Sequence, residues 1–234
     1  MITCIDVSGA KLLSLPDKRR PRRTQVERTA ATRARILGAT VESIGDVGFQ
    51  RTTSAEITRR SGVTWGAVQH HFGSKDGILG AILEDSFNRF SEGLTKAFDD
   101  LGESAPLGRR IDAFVTSAWA HFDSVHYRAA FEILLEDSAS RKSKSPSDPN
   151  DRSWQGEILK AWTRIWRRLF PDVSLGRTRA IMLQHYTISV LSGLASMQLL
   201  AGEAAPFVQD ELELLKRTLA REFRAARARR KGAS

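Results

Sequence analysis

The sequence predicts an all-α protein of about nine helices. Apolar residues recur at intervals of three and four along most of the 234 residues, and no segment alternates with period two for long enough to form a strand. Threonine or serine residues precede several of these segments and glycines follow them, which is typical of helix starts and ends. With 41% apolar residues, the chain can bury a substantial core and is not disordered throughout.

Charge is spread unevenly along the chain, which has a formal net charge of +9. Residues 1–73 carry 12 basic and 6 acidic side chains, residues 74–215 carry 16 and 20, and residues 216–234 carry 8 and 1. A basic N-terminal part followed by a mildly acidic middle part indicates that one end of the protein binds a polyanion. The single cysteine, Cys4, excludes an internal disulfide framework and a cysteine-rich zinc site, and we expect no metal or cofactor.

Neither an export signal nor a membrane span is expected. Residues 1–17 lack a charged region followed by an apolar run, and the most apolar stretch, Thr187 to Ala201, is shorter than the ~20 residues that cross a bilayer. We therefore expect a cytoplasmic protein.

The first elements follow from local signals. Residues 1–23 form a flexible basic arm that ends in Lys18-Arg19-Arg20-Pro21-Arg22-Arg23. Thr24-Gln25-Val26-Glu27 is a capping box, so the first helix runs from about 25 to 47 and ends at Gly48.

A second capping box, Thr53-Ser54-Ala55-Glu56, opens a short helix that ends at Gly62. Thr64 opens a third short helix through Phe72, and Ser74 caps a fourth that fades near Gly102.

The remaining periodic segments predict a helical second part, residues 91–234. They run from Ile111 to Phe122 and on through Leu135, then from Trp154 to Leu169, from Leu175 to Ala201 and from Pro206 to about Arg230. Residues 138–153 hold one apolar residue and two prolines, which predicts a mobile loop. Residues 24–90 form the predicted first domain, with a helix-turn-helix at 53–72.

This layout of two short helices around Gly62 is suited to DNA. A major groove ~12 Å wide admits one helix, and the preceding helix must brace it across the backbone. Ile57, Val63 and Val68 can supply the apolar contacts between the two. An ordinary corner between helices remains the alternative on pattern alone.

A longer run of residues resembles a known family. It comprises Phe49, Thr52-Thr53, Ile57, Ser61-Gly62-Val63 and Gly66-Ala67-Val68-Gln69-His70-His71-Phe72-Gly73-Ser74-Lys75-Asp76-Gly77-Ile78-Leu79. From roughly Ala30 to Phe90 the chain resembles the N-terminal domain of TetR-family (tetracycline-repressor-like) transcriptional regulators. The resemblance implies a homodimeric, sequence-specific DNA-binding regulator, in most cases a repressor that a small-molecule effector releases from an inverted-repeat operator. Gln69 stands where the family usually has tyrosine.

Side-chain chemistry then suggests the DNA contacts. Gln69 can bind adenine in bidentate fashion, His70 can donate to a phosphate, and Gly66 permits close approach of the backbone. The full set of expected contact residues is Thr53, Thr64, Trp65, Gly66, Gln69, His70, Lys75, Arg22 and Arg23. Thr53 can instead be a pure helix cap and Lys75 a solvated surface lysine. The arginine arm can equally be a solvated tail, and we expect the basic C-terminal run to be a frayed, solvated end.

Aromatic residues concentrate in the second domain and suggest an effector pocket with apolar walls. The candidate lining residues are Trp119, Phe122, His126, Phe131, Trp162, Trp166 and Tyr186, although each can simply fill the core. Glu132 and Glu136 lie four residues apart, where they can attract a cationic ligand or form a wet surface.

The last two helices carry the predicted dimer interface, at Leu191, Leu194, Met197, Leu212, Leu215 and Leu219. Small residues such as Ser189 and Gly193 would let helices of two subunits approach closely in a four-helix bundle. One long core helix is the alternative.

Two other function classes compete with the regulator. A non-specific architectural DNA-binding protein would fit the basic beginning but not the acidic body. A helical enzyme is disfavoured because no phosphate-binding glycine loop, nucleophile elbow, H-E-x-x-H motif or cysteine–histidine pair is present.

Overall fold

A computed structural model describes residues 24–102, 104–141, 154–173, 175–201 and 207–232. The described residues form nine helices and no strand, which confirms the predicted fold class. The helices are α1 (Gln25–Val47), α2 (Ser54–Ser61), α3 (Trp65–Phe72), α4 (Lys75–Asp99), α5 (Leu107–Phe122), α6 (Val125–Arg141), α7 (Trp154–Leu169), α8 (Arg177–Ala201) and α9 (Val208–Gly232). Within the described part, no helix is long and apolar enough to cross a membrane.

Helix α1 begins and ends where its local signals predict. The Thr24 hydroxyl accepts a hydrogen bond from the Glu27 amide at 3.2 Å, and the Glu27 carboxylate accepts one from the Thr24 amide at 2.8 Å. Gly48 ends the helix at φ 82°, a backbone conformation that side chains disfavour. The first capping box is thus confirmed.

The helix-turn-helix also forms as predicted. The hydroxyls of Thr53 and Thr64 accept hydrogen bonds from the third amides of α2 and α3, so each threonine is the cap of its helix. Gly62 takes the left-handed conformation between them, with φ 63° and ψ 29°. Because the turn is this tight, α3 is held at a fixed angle to α2.

The first domain, which we call the head, buries an apolar cluster that braces α3. Ile57 of α2 and Val68 of α3 are fully buried in it, and Val63 packs against it, as expected from the sequence. Ala129 and Ile133 of α6 complete the same cluster. The head therefore packs directly on a helix of the second domain, which we call the body.

Helix α4 runs from the head into the body. Ile78 and Ile82 belong to the core of the head, whereas Phe90 and Leu94 belong to the core of the body. The predicted domain boundary at residue 90 thus falls inside a continuous 25-residue helix about 37 Å long.

The core of the body is aromatic. The ring of Phe114 on α5 meets those of Trp162, Trp166 and Phe170 at interplanar angles of 81–84°, with centroids 5.8–6.2 Å apart. Edge-to-face geometry of this kind stabilises ring pairs beyond the apolar area that they bury. Phe223 brings α9 into the same cluster.

The start of the predicted mobile loop at 138–153 is wrong. Helix α6 continues to Arg141, so residues 138–141 are helical, whereas 142–153 lie outside the described residues. Polar composition suggested a loop here, but none of these four residues is a glycine or proline that would stop the helix.

The junction between α3 and α4 leaves no room for a side chain at Gly77. A Cβ atom there would lie 1.9 Å from the carbonyl oxygen of Phe72. We expect Gly77→Ala to lower the free energy of unfolding by at least about 2 kcal/mol, because backbone must shift to relieve the clash. Denaturant unfolding would measure it. Gly80→Ala is the matched control, since a Cβ there meets nothing within 4 Å, and an equal effect of both would contradict this account.

The half-buried His121 is expected to make the stability of the body depend on pH. The His121 ring lies 5.1 Å from that of Phe90 and 5.7 Å from that of Tyr127, centroid to centroid. Burial, and to a lesser extent the charge of His126, lowers the pKa of His121 from 6.5 to about 4. The folded state therefore favours neutral His121, whose stabilisation is complete above pH 6.5 and declines as the pH falls towards 4.

The contribution of His121 can be isolated by substitution. Between pH 7.5 and pH 5 we expect the wild type to lose roughly 2 kcal/mol more stability than His121→Gln, because only the wild type must keep this ring neutral. Urea unfolding at both pH values, at one protein concentration, measures the difference. His70→Gln, at an exposed position, should follow the wild type; parallel pH profiles for wild type and His121→Gln would refute the assignment.

Candidate nucleic-acid interface

Helix α3 has one buried and one exposed face. Val68 is fully buried, and Trp65 and Phe72 pack against the same core. Gly66, Gln69 and His70 lie on the other side of the helix, at spacings of three and four, and all three are exposed. The apolar side of α3 is thus packed on the core of the head, and its polar side is exposed to solvent.

The exposed face has no visible role within the head. Among the described residues, neither the Gln69 side-chain amide nor the His70 imidazole has a hydrogen-bond partner, and the centroid of the His70 ring lies 5.4 Å from that of His71. A Cβ at Gly66 would meet only the Thr64 hydroxyl, at 3.9 Å, so nothing inside the head requires glycine there. These three residues are therefore available to an external partner.

Three other predicted contact residues have structural roles. The exposed hydroxyls of Thr53 and Thr64 accept hydrogen bonds from helix amides, yet each keeps its own proton to donate. Trp65 is half-buried against the core of the head, which leaves only part of its ring accessible. Capping and DNA contact are thus compatible for both threonines.

Lys75, predicted as a phosphate contact, is not a free surface lysine. It is half-buried as the first residue of α4, and its ammonium lies 5.1 Å from the centroid of the Phe49 ring. This cation–π contact orients the charge near the start of α4, where helix-end amides also favour anions.

Sequence reasoning missed Arg33 of α1. Its guanidinium donates to the His71 carbonyl at 3.1 Å and lies 4.4 Å from the centroid of the Phe72 ring. It therefore holds the end of α3 to α1. The two groups are 38 positions apart, so no local pattern could have indicated the contact.

The charges of α2 are largely neutralised within the head. Glu56 accepts hydrogen bonds from Arg59 and Arg60, which lower its pKa from 4.5 to about 2. Arg60 also donates to Asp46 of α1. In the predicted second capping box Glu56 was to bond the Thr53 amide, but its carboxylate binds the two arginines instead, so only the threonine half of the box forms.

Arg22 and Arg23 lie outside the described residues. Arg227 on α9 contacts Asp172, which also binds Arg110 near the start of α5. Because α5 follows the end of α4, this part of α9 lies at the opposite end of α4 from Lys75 and the head.

The loop between α1 and α2 is anchored to the body by two carboxylates. Glu132 of α6 accepts a hydrogen bond from the Phe49 amide at 2.9 Å, and Glu136 accepts one from the Gln50 side chain at 3.1 Å. The two glutamates were considered as a cation site or a wet surface, but they join the two domains. Nothing in the spacing of Glu132 and Glu136 identifies their partners, which are more than 80 residues away.

The seven residues predicted to line an effector pocket do not surround one cavity. Phe122, Trp162 and Trp166 are buried in the core of the body, and Trp119 packs against it. Phe131 stacks on Tyr127 at 5.8 Å, His126 is half-buried, and Tyr186 is exposed. In this structure most of these rings fill the core of the body, so an effector pocket at these seven residues stays a prediction.

A cleft of about 1130 Å³ does open in the body, between α7, α8 and α9. Of the seven predicted residues, only Trp166 lines it. The lining residues are Thr163, Arg164, Trp166, Arg167, Phe170, Pro171, Val173, Leu175, Arg177, Ala180, Ile181, Gln184 and Phe223.

Most of the predicted dimer residues lie inside the subunit in this structure. Leu191, Leu194, Leu212, Leu215 and Leu219 are buried within the subunit, because they form the contacts of α8 and α9 with the body's own core. Met197 is the exception, at 57% exposed. The exposed large apolar residues of these helices are Met182, Tyr186, Met197, Leu199, Leu200 and Leu214, and Phe207 directly before α9 is exposed as well.

No metal site is apparent in the described ranges, where no three histidine, cysteine, aspartate or glutamate side chains gather closely enough to hold an ion. His121 and His126 therefore do not belong to such a group.

Comparison with known proteins identifies the family of the head. A family model described as "Bacterial regulatory proteins, tetR family" matches residues 36–82, from the middle of α1 into α4. The matched segment includes α2, α3 and the junction at Gly77.

Curated relatives extend this similarity. The chain is 26% identical to the HTH-type transcriptional regulator BetI of Cronobacter sakazakii over 172 residues, which cover 73% of this chain and 81% of the relative. It is 32% identical to BetI of Escherichia coli O127:H6 over 83 residues, 36% of this chain and 42% of that protein. The second match thus spans less than half the length of the relative.

A solved structure shares the overall fold. The multidrug binding protein EbrR, complexed with imidazole, superposes with a TM-score of 0.55 and 18% identity, covering 84% of this chain and 95% of EbrR. The curated relatives regulate transcription and are not enzymes, so the alternative of a helical enzyme is excluded. Residues 36–82 match the TetR family of bacterial regulatory proteins, and taken with a braced α3 whose polar face is open, these similarities indicate a DNA-binding transcriptional regulator.

Proposed function

We propose that this regulator is a repressor which binds an inverted-repeat operator as a homodimer and leaves it when a small molecule binds the body. The observation that carries the proposal is the exposed face of α3, where Gly66, Gln69 and His70 lack partners among the described residues while Val68 anchors the helix behind them. Such a regulator would act in the cytoplasm.

Readout of DNA would combine base and phosphate contacts. The Gln69 amide matches the donor and acceptor of adenine in the major groove, and Gly66 lets the backbone approach the bases. The hydroxyls of Thr53 and Thr64 and the ammonium of Lys75 would bind phosphates and set the register. His70 would add a phosphate contact, Trp65 an apolar edge, and Arg22 and Arg23 a contact along the backbone or minor groove.

Dimerisation would use the exposed side of α8, together with Phe207, which directly precedes α9, and Leu214 of α9. Met182, Tyr186, Ser189, Gly193, Met197 and Leu200 recur on α8 at intervals of three and four and form one exposed stripe, named here the α8 stripe. Gly193 lies in it with open space where a side chain would be, so a second helix could approach closely. A two-fold arrangement would set two copies of α3 on groove faces about 34–36 Å apart.

Effector control would act through helices that belong to both domains. Ile82 and Phe90 of α4, like Ala129 and Ala130 of α6, are buried, and these helices reach from the body into the head. A ligand that prefers one arrangement of the body would bias the angle of the head by its difference in affinity between the two states. EbrR, which shares the fold, binds a small molecule, and this supports a ligand here.

The DNA assignment is tested by selecting bound sites from a random duplex pool. We expect an inverted repeat, and we expect Gln69→Ala to weaken binding to the selected site by about 1–3 kcal/mol, or roughly 5- to 100-fold, because one bidentate base contact is lost. Fluorescence anisotropy at fixed salt gives both affinities.

Gln209→Ala is the matched control, since Gln209 is an exposed glutamine on α9. It should bind like the wild type. Equal affinity of the wild type for selected and random duplexes at physiological salt would instead favour an architectural DNA-binding protein.

The dimer assignment is tested at Gly193. We expect Gly193→Leu to weaken self-association at least about tenfold, because the side chain would prevent close helix approach while meeting nothing within its own subunit. Sedimentation equilibrium measures the change. Operator affinity should fall with it, since one head makes only half of the contacts.

Gly108→Leu provides the comparison, because Gly108 is also exposed on a helix and its added Cβ also meets nothing within 4 Å. If both variants remain dimers of wild-type affinity, the α8 stripe is not the interface.

A further inference from the structure

We infer that the cleft between α7, α8 and α9 binds an amphipathic carboxylate, a molecule with one anionic group and an apolar body such as a medium-length hydrocarbon chain. This inference rests on the proposed control by an effector and adds both the place and the chemical class of the ligand. Three features of the cleft carry it: an apolar wall, a rim of arginines without acidic partners, and a second opening behind α7.

The wall of the cleft is apolar and already ordered. Trp166, Phe170 and Phe223 meet edge to face with ring centroids 4.7–6.0 Å apart, and all three line the cleft. Leu175 and Ile181 extend the apolar surface towards α8. A hydrocarbon or aromatic body in this cleft would remove apolar surface from water without reorganising the wall.

The rim of the cleft is cationic. Arg164 and Arg167 of α7 and Arg177 of α8 line it and are exposed, and no acidic residue is among the lining residues. In the part of the chain that the structure describes, none of the three has an ion-pair or hydrogen-bond partner. Arg177 is also the first residue of α8, whose first turn carries no acidic residue and whose free amides add positive potential.

Other arginines of the body differ from these three. Arg110 binds Asp172, Arg168 binds Asp99 and Arg179 binds Glu222. The contrast indicates that the described part of the fold does not balance the rim charges. An anion placed over the apolar wall would receive charge-assisted hydrogen bonds from guanidinium groups whose geometry suits a carboxylate.

The cleft wall also holds polar groups that orient a ligand. Gln184 of α8 is only 2% exposed, and its side-chain oxygen accepts a hydrogen bond from Thr163 at 3.3 Å. The indole N–H of Trp166 is buried without an acceptor among the described residues. Few polar groups beside a large apolar wall are typical of small-molecule sites.

A second opening lies on the other side of α7. It measures about 310 Å³ and is lined by Phe87, Ser91, Leu94 and Thr95 of α4 and by Arg164, Ile165, Arg168 and Leu169 of α7. Since Arg164 lines both openings, α7 has free space on two sides and can shift when one side is filled. A shift towards α4 would reach the helix that runs into the head.

The first experiment compares three amphiphiles on the full-length protein by isothermal titration calorimetry. We expect decanoate to bind, decyltrimethylammonium to bind at least about tenfold more weakly despite its equal tail, and butyrate to show no saturation. Decanoate binding should weaken as salt is raised, because the rim charges are exposed. Equal affinity for the anionic and cationic amphiphiles would overturn the carboxylate assignment.

The second experiment places the site. The double variant Arg164→Gln/Arg167→Gln should bind decanoate about tenfold or more weakly than the wild type. Arg109→Gln, at an exposed arginine of α5 that does not line the cleft, should be unaffected. Ala180→Trp, which fills the cleft from α8, should abolish binding whatever the charge of the ligand. Unchanged affinity in both cleft variants would move the site elsewhere.

The third readout separates this inference from the proposed function. If the wild type binds decanoate in the cleft but its operator affinity does not change, the ligand class stands and effector release fails. If other small molecules release the operator equally from wild type and from the double arginine variant, release stands and the cleft assignment fails. The cleft assignment and effector release are both supported if decanoate lowers operator affinity in the wild type and not in the double arginine variant.

Discussion

The arrangement of the whole molecule depends on the apolar contact between α6 and the head. Ala129 and Ile133 are almost fully buried, and they belong to the cluster formed by Ile57, Val68 and Ile78. A head of about 65 residues has a high ratio of surface to volume, so it gains much of its stability from each additional buried face. Because α6 supplies that face, the position of α3 is tied to the position of α6.

Polar contacts also join α6 to the head. The Glu132 carboxylate accepts a hydrogen bond from the Phe49 amide, and the Phe49 ring lies beside the ammonium of Lys75. One residue of the α1–α2 loop thus links α6 to the start of α4, next to the end of α3. A rotation of α6 would change the setting of this loop and of the recognition helix together, which makes α6 a second route between the domains besides α4.

Local chemistry made the head predictable, and long-range packing made the body less so. The caps at Thr24, Thr53, Thr64 and Ser74 and the turn at Gly62 depend on residues within four positions, and each was confirmed. By contrast, α8 is apolar nearly all round, so its pattern does not tell which face meets the core. Leu191 and Leu194 were therefore assigned to a partner although they pack within the subunit. The aromatic residues of α5 and α7 suggested a pocket for a similar reason: a ring that fills a core and a ring that lines a cavity have the same spacing.

Helix α8 brings together three surfaces that the sequence could not separate. Leu191 and Thr187 face the core, Ala180 and Ile181 line the cleft, and Met182 and Tyr186 lie in the exposed α8 stripe. A ligand in the cleft and a second subunit on the stripe would thus contact opposite sides of one rigid rod, whose backbone hydrogen bonds resist bending. Because a packed helix moves as a unit, displacement of its first turns by a ligand would alter the angle at which two subunits meet. The distance between the two copies of α3 would follow from that angle, so the proposed dimer would couple the cleft to the recognition helix through the α8 stripe.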